Sequence, residues 1–277
     1  MHVDLHSHTT VSDGVLEPEE LVDHAARKGL HFLAITDHDA TGGLARALER
    51  AERYPALTVI PGVELSADVD EGEIHVLGYL DSYEDPDFQG QMEKFQEGRV
   101  GRARGMVKKL GELGMDVDWE RVQEIAGDGA IGRPHVAQAL LEKGHVGSVQ
   151  EAFNLYIGRN GPAYVGRVRL TPGDAIRLIQ SVGGRAVLAH PSFTRNVESL
   201  LPGLKAEGLA GMEVHYARYT PDQIARLKRL ADRHDLVPCG GSDYHGPGLG
   251  PGIDLGDVDV PESSVFRLLG IDAPKGG

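Results

Sequence analysis

Short apolar stretches recur along the chain, and most end on a histidine or a carboxylate. Seven have the length and composition of β-strands: residues 2–8, 31–38, 57–66, 74–80, 185–191, 209–216 and 236–245. Amphipathic segments lie between several of them. Pro18 suits a first helical turn, Leu21, Val22, Ala25 and Ala26 form one apolar face, and Gly29 stops the helix. Thr171-Pro172 and Thr220-Pro221 mark two further starts, and Gly183-Gly184 ends the first of these helices. Strands alternating with helices predict an α/β fold, a mainly parallel sheet covered by helices, open or closed into a barrel.

The alternation stops between about Gly98 and Leu170. That stretch reads as helices, with Ser148 and Glu151 as a capping box and a helix from Arg133 closed at Gly144. The remaining 204 residues fit the short end of the barrel range. The expected organisation is a barrel built from residues 1–97 and 171–277, with residues 98–170 as a helical insert above it.

Charge sharpens this division. The chain of 277 residues has 28 Lys or Arg and 42 Asp or Glu, a formal charge of −14, yet the insert holds 11 basic and 8 acidic residues. An acidic barrel under a positive insert argues against a general duplex-binding surface, which needs clustered cations. The single cysteine, Cys239, excludes a disulfide framework or a CxxC site and reads as core filler. No apolar run approaches the roughly 18 residues of a membrane span, and MHVDLHSHTT does not resemble a secretory leader, so a soluble cytoplasmic protein is expected. Gly246 to Gly252 reads as a mobile rim loop, and the terminal APKGG as a loose tail.

Histidine, with 13 copies, carries the chemistry. The strand runs end on His6 and His8, Asp37-His38, Glu64, His190, Glu213 and His215, and Asp243 and His245. Such groups are costly to bury unpaired, and function gathers at the carboxyl ends of barrel strands. His75 is the exception, near the start of its run. A turn at Asp70, Glu71 and Gly72 would fold runs three and four into a hairpin and bring His75 beside Glu64. Residues two apart on a strand share a face, so His6 with His8, and Asp243 with His245, can each grip one ion. Mixed imidazole and carboxylate donors suit zinc, manganese or iron. His6, His8, His38, His75, His190, His245, Asp13, Glu64 and Asp243 are enough for two or three ions, a local positive site suited to phosphate.

The segments His6-Ser7-His8-Thr9, Ile35-Thr36-Asp37-His38-Asp39, Pro61-Gly62-Val63-Glu64-Leu65-Ser66, Ile74-His75-Val76-Leu77-Gly78, Ala189-His190-Pro191 and Gly241-Ser242-Asp243-Tyr244-His245 resemble the polymerase and histidinol phosphatase (PHP) family of metallophosphoesterases. The resemblance implies a distorted (β/α)7 TIM-like barrel with a trinuclear site. The insert and Gly132-Arg133-Pro134-His135 resemble the branch of 3′,5′-nucleoside bisphosphate phosphatases and short-RNA 5′-exonucleases. Carried over by position, His6, His8, Glu64 and Asp243 would hold one ion. Glu64 would bridge to a second on His75 and His190, and Asp13, His38 and His245 would hold a third. The family implies manganese most often, with zinc or iron also in use.

The expected activity is removal of the 3′-phosphate from bisphosphates such as pAp, and trimming of short 5′-phosphorylated RNA. A water activated between the Glu64-linked ions would attack, with help to the leaving oxygen from the side of Asp13 or His245. Arg133, His135, Ser192 and Arg195 are the expected substrate anchors. Asp4 and Asp39 read either as residues that orient a ligand or as plain structural groups, and His215 as a lesser candidate for substrate contact. His2, His24, His31, His145 and His234 read as ordinary surface or core residues. Trp119 and the few Phe and Tyr do not suggest a stacking platform for long single strands. The alternatives are a histidinol-phosphate phosphatase, which would favour acidic anchors, and an amidohydrolase-type enzyme, which would not need the arginines.

Overall fold

Seven strands lie side by side in chain order: β1 His2–Asp4, β2 Leu30–Ile35, β3 Thr58–Val69, β4 Gly72–Tyr79, β5 Arg185–Leu188, β6 Gly211–Tyr216 and β7 Val237–Gly241. The computed structural model describes residues 2–69, 72–127, 129–166, 170–249 and 253–271. The turn residues Asp70 and Glu71, the far part of the Gly246–Gly252 loop and the APKGG tail lie outside the described residues. Strands β1 to β3 are parallel, as are β5 to β7, while β4 runs against both its neighbours. The predicted hairpin is therefore present, with Ser66 opposite His75.

The sheet curls until β7 meets β1. The Leu5 N–H donates to the Gly240 carbonyl at 3.3 Å, the His8 N–H donates to the Tyr244 carbonyl at 2.8 Å, and Ser7 bridges Tyr244. Glycine makes this approach possible: a Cβ on Gly241 would lie 2.5 Å from the His6 nitrogen. The result is a nearly closed, distorted (β/α)7 barrel. Regular pairing in β1 stops at Asp4 and in β7 at Gly241, short of the predicted runs, because the following residues turn out of the ladder to form the barrel mouth.

Alternation along the strands fills the interior with Val3, Leu5, Ala34, Ile60, Leu77, Val187 and Cys239. Outward-facing Leu33 and Ile35 are covered by α1 (Pro18–Arg27) and α2 (Leu44–Ala51), through Leu21, Val22, Ala25 and Leu44. Helices α7 (Pro172–Ser181), α8 (Val197–Ala206) and α9 (Pro221–Arg233) pack on the other side, and α10 (Glu262–Leu269) seals the bottom through Val265 and Leu268. The helix ends match their sequence signals. Pro18 opens α1, Thr171 and Thr220 accept the N–H groups of Asp174 and Gln223, and Gly29 and Gly183 take φ of 75° and 76° beyond α1 and α7.

Because β4 is reversed, it ends at Tyr79, paired with Arg185 at the start of β5, at the bottom of the barrel. Helix α3 (Pro86–Glu112), 27 residues and about 40 Å long, carries the chain back up the wall. Its first half buries Phe88 and Met92 against the barrel cluster of Val76, Ile176 and Ile179. Its second half buries Ala103, Met106 and Leu110 in a separate apolar cluster with Val122, Val136, Leu140 and Ile157. That cluster joins α4 (Trp119–Ala126), α5 (Arg133–Glu142), α6 (Val149–Ala152) and a π-helical turn at Phe153–Ile157. Helix α3 passes residue 98 without a break. The Ser148 hydroxyl caps α6 by accepting the Glu151 N–H, while the Glu151 carboxylate takes the N–H of Gly147, one residue before the cap. Among the described residues, no helix is long and apolar enough to cross a membrane.

Candidate metal centre and substrate cavity

The barrel mouth collects donors from widely separated segments. His6 and His8 follow β1, His38 follows β2, Glu64 sits in β3 and His75 in β4, His190 follows β5, and Asp243 and His245 follow β7. His6 Nε2 lies 3.1 Å from His8 Nε2, 3.2 Å from Glu64 Oε2 and 3.3 Å from Asp243 Oδ1. Glu64 turns its other oxygen to His75 Nδ1 at 2.6 Å and His190 Nε2 at 3.0 Å. Asp13 Oδ1 is 3.3 Å from His245 Nε2, and Asp13 Oδ2 is 3.8 Å from His38 Nε2. The nine residues expected as ligands thus come together. Three subsets, His6/His8/Glu64/Asp243, His38/Glu64/His75 and His8/Asp13/His38/His245, each keep their donor atoms within 4.8 Å, so His38 stands with Glu64 and His75 where His190 was expected, and His190 meets the cluster through its Nε2 contact with Glu64.

The chemistry of this donor set fits divalent cations. Glu213, fully excluded from solvent, meets His6 Nδ1 with Oε1 at 3.1 Å. A proton on Nδ1 leaves the Nε2 lone pair aimed at His8 Nε2 and two carboxylate oxygens, an arrangement that repels itself unless a cation or proton intervenes. His8 Nδ1 is buried with no hydrogen-bond partner. Burial would raise the Glu64 carboxyl, but His38, His75 and His6 hold it well below the usual range, so it stays ionised. Burial opposes a charge on His75 and His245 too, yet Glu64 lifts the first to about 9, and Asp13 with Asp243 lifts the second to about 10. Burial dominates at His38, which falls to about 3.

Other residues hold this constellation in place. Besides His6, Glu213 accepts the His190 N–H at 2.6 Å. Asp37 accepts from the Thr9 N–H and from the Thr9 and Ser12 hydroxyls, pinning the turn that carries Asp13. Asp4 accepts the N–H groups of Ser242 and Gly256, so it ties the two ends of the barrel together and touches no imidazole. Asp39 accepts from Arg99 Nε at 2.7 Å and from the Ser66 N–H, and so orients an arginine where the sequence suggested a ligand. His190, Asp243 and Asp39 have φ of 29°, 53° and 49°, left-handed values that cost non-glycine residues about 1 kcal/mol or more each.

A cavity of about 100 Å³ opens between this cluster and the insert, lined by Asp13, His38, His75, Arg99, Arg102 and Arg133. Arg133 pairs with Glu73 at 3.2 Å and lies over the Phe153 ring at 5.5 Å, and Glu73 also contacts His75 Nε2 at 3.1 Å. The other expected anchors sit elsewhere. His135 is buried, and its Nδ1 accepts the Gly132 N–H at the start of α5. The Ser192 N–H donates to the Tyr219 hydroxyl, and its Oγ accepts from Gln223. Arg195 is exposed on the rim beyond His190. His215 is half-buried, Cys239 is core, and His24 pairs with Asp254 at 2.6 Å.

Sequence reasoning named Glu213 as a strand-terminal acid without giving it a role, and it missed Glu73, Arg99 and Arg102. The two arginines lie three residues apart on one helix, so their shared face was the available signal. An aromatic group at the mouth was also missed. The Phe193 ring lies 5.8 Å from Tyr216, 6.0 Å from Tyr219 and 6.3 Å from His190.

Comparison with known proteins agrees with this geometry. The model of the PHP domain matches residues 4–96. The chain is 36% identical over 258 residues to the 5′-3′ exoribonuclease Rnm of Salmonella typhimurium, covering 91% of this chain and 87% of the relative. It is 34% identical over 266 residues to the 3′,5′-nucleoside bisphosphate phosphatase of Chromobacterium violaceum, covering 94% and 93%. A solved Bifidobacterium adolescentis protein described as a metal-dependent phosphoesterase superposes with a TM-score of 0.86 at 31% identity, covering 96% of this chain and 95% of that one. This chain therefore belongs to the PHP family, as a metal-dependent phosphoesterase.

Proposed function

We propose that the protein hydrolyses the phosphate ester at the 3′ oxygen of a 5′-phosphorylated nucleotide, acting on pAp-like bisphosphates and on short 5′-phosphorylated RNA. The observation that carries this reading is the arginine-lined cavity beside the donor cluster. At about 100 Å³, with Arg99, Arg102 and Arg133 in its wall, it suits a phosphoryl group. Arginine forks recognise phosphate through paired, charge-assisted hydrogen bonds. One phosphate anchored there leaves a neighbouring phosphate at the donors. Of the two acids in this wall, Glu73 is paired with Arg133 and Asp13 belongs to the donor cluster, so neither is set aside for a histidinol ammonium group.

His6, His8, Glu64 and Asp243 would hold one divalent ion, Glu64 with His75 and His190 a second, and Asp13, His38 and His245 a third, with manganese favoured over zinc or iron. Bound there, such ions supply activation of water and neutralisation of charge on the phosphoryl oxygens. The residues do the rest. Glu213 fixes the His6 tautomer and the backbone of His190. Arg99, set by Asp39, joins Arg102 and Arg133 in orienting the anchored phosphate. As the water oxygen bonds to phosphorus, the P–O3′ bond breaks. The 3′ oxygen takes its proton on the side of Asp13 and His245.

The test is phosphate or nucleotide release from pAp, mononucleotides, histidinol phosphate and 5′-phosphorylated dinucleotides, after stripping metal and restoring manganese, zinc or iron. Substrates with two phosphates should be turned over with at least tenfold higher kcat/KM than histidinol phosphate. Preference for histidinol phosphate, or no release from any nucleotide, contradicts the reading.

A further inference from the structure

The geometry points to a base-stacking platform at Phe193, backed by the buried rings of Tyr216 and Tyr219, which takes the second nucleobase of an oligonucleotide, the one attached to the attacked phosphate. This rests on the reading above that the site acts on phosphorylated nucleotides. Phe193 is 59% exposed, and a single exposed aromatic would need no explanation. Its surroundings set it apart. The ring leans on Tyr216, Tyr219 and His190 at centroid distances of about 6 Å. The segment that carries it is clamped by the Ser192 N–H on the Tyr219 hydroxyl at 2.9 Å and by Gln223 on Ser192 Oγ at 2.8 Å. The Tyr216 hydroxyl donates to Asp243 Oδ2 at 2.7 Å, which ties the platform to the donor cluster. An aromatic face already fixed in place loses little freedom when a base stacks on it.

Cations flank the rings. Arg218 is exposed and, with Tyr216, Asp243 and His245, lines a cleft of about 220 Å³. Arg195 stands exposed two residues beyond Phe193. Exposed aromatic faces with nearby arginines are how single-stranded nucleic acid is held.

Position around the mouth gives the polarity. The arginine cavity takes its barrel residues from the turn after β1 and from the mouth ends of β2, β3 and β4, whereas Phe193 follows β5, Tyr216 ends β6 and Tyr219 follows it, and both groups border the donor cluster. A terminal phosphate among the arginines and the next phosphate at the donors place the first nucleoside between them. Only a chain that continues past the attacked phosphate reaches Phe193, and a nucleoside bisphosphate does not.

The experiment compares kcat/KM for a 5′-phosphorylated dinucleotide and for the same molecule with an abasic second position, using metal-loaded wild type, Phe193→Ala and Phe193→Trp. Stacking on one base predicts that removing it costs wild type about tenfold, costs Phe193→Ala less than twofold, and costs Phe193→Trp about as much as wild type. Equal efficiency of wild type on both dinucleotides, or the same loss in Phe193→Ala, overturns the platform and leaves the nucleotide reading standing. Failure of wild type to cleave pAp and both dinucleotides overturns that reading and the platform together.

Discussion

His6 Nδ1 and Glu213 Oε1 meet at 3.1 Å across 207 residues of chain, with both side chains fully shielded from water. Glu213 accepts from His190 as well, so one carboxylate fixes two members of the donor cluster. In Glu213→Gln the amide offers one acceptor oxygen for two donors and turns its NH2 group toward one of them. Metal affinity should fall 10- to 100-fold while the far-ultraviolet circular dichroism stays unchanged. A metal titration on the stripped protein checks this, and unaltered affinity would remove Glu213 from its positioning role.

Glu64 faces His6, His38, His75 and His190, and it is the carboxylate shared by two of the donor clusters. Adding manganese to stripped wild-type protein should raise Tm as its concentration increases, because a ligand that binds the folded state stabilises it. Glu64→Ala and His190→Ala should lose most of this rise and show phosphate release no higher than the metal-free background. Near-normal turnover in either variant would refute the assignment.

Arg133 stands between Glu73 and the cavity. Charge reversal in Arg133→Glu should raise KM for a 3′,5′-bisphosphate by roughly 10- to 100-fold, the worth of one or two charge-assisted hydrogen bonds. KM for a simple aryl phosphate, which has no second phosphate to anchor, should change by less than about threefold. Equal effects on both substrates would show that Arg133 is not an anchor.

Away from the site, Asp23 receives Arg50 Nε at 2.6 Å and the Tyr54 hydroxyl at 2.8 Å, and the Arg50 guanidinium beside it holds its carboxyl below the usual value. A depressed acid stabilises the fold above its unfolded value, and this contribution is lost as pH falls through the folded value. Asp23→Asn should therefore lower Tm at pH 7 by roughly 1–2 °C, the small effect of a solvent-screened pair. The gap between variant and wild type should close as pH drops from about 4 toward 2. A constant gap in thermal melts across that range would contradict the linkage.

The barrel and its donors were readable because their signals are local. Strand runs end on ligand-type residues, and the short turn before His75 dictates a hairpin. The continuity of α3 was not readable, since the boundary expected at about Gly98 falls inside it, and Gly90, Gly98, Gly101 and Gly105 each cost up to about 1 kcal/mol in a helix. Packing at both ends overrides that penalty. At Gly105 the missing side chain is itself used, because a Cβ there would come within 3.1 Å of Val165. Glu213 and the Phe193 platform escaped for another reason. Each depends on partners brought together only when separate strand ends converge at the mouth, and no spacing in the sequence encodes that meeting.

The reversal of β4 also sets a tether length. The chain leaves that strand at the barrel floor, so Arg99 and Arg102 reach the mouth because the first half of α3, from Pro86 to Arg99, climbs about 20 Å up the wall. Deleting one helical residue between Pro86 and Arg99 would swing both arginines about 100° around the helix axis, and deleting a full turn would sink them about 5.4 Å. The span of α3 below Arg99 therefore works as a ruler whose graduations are single helical residues.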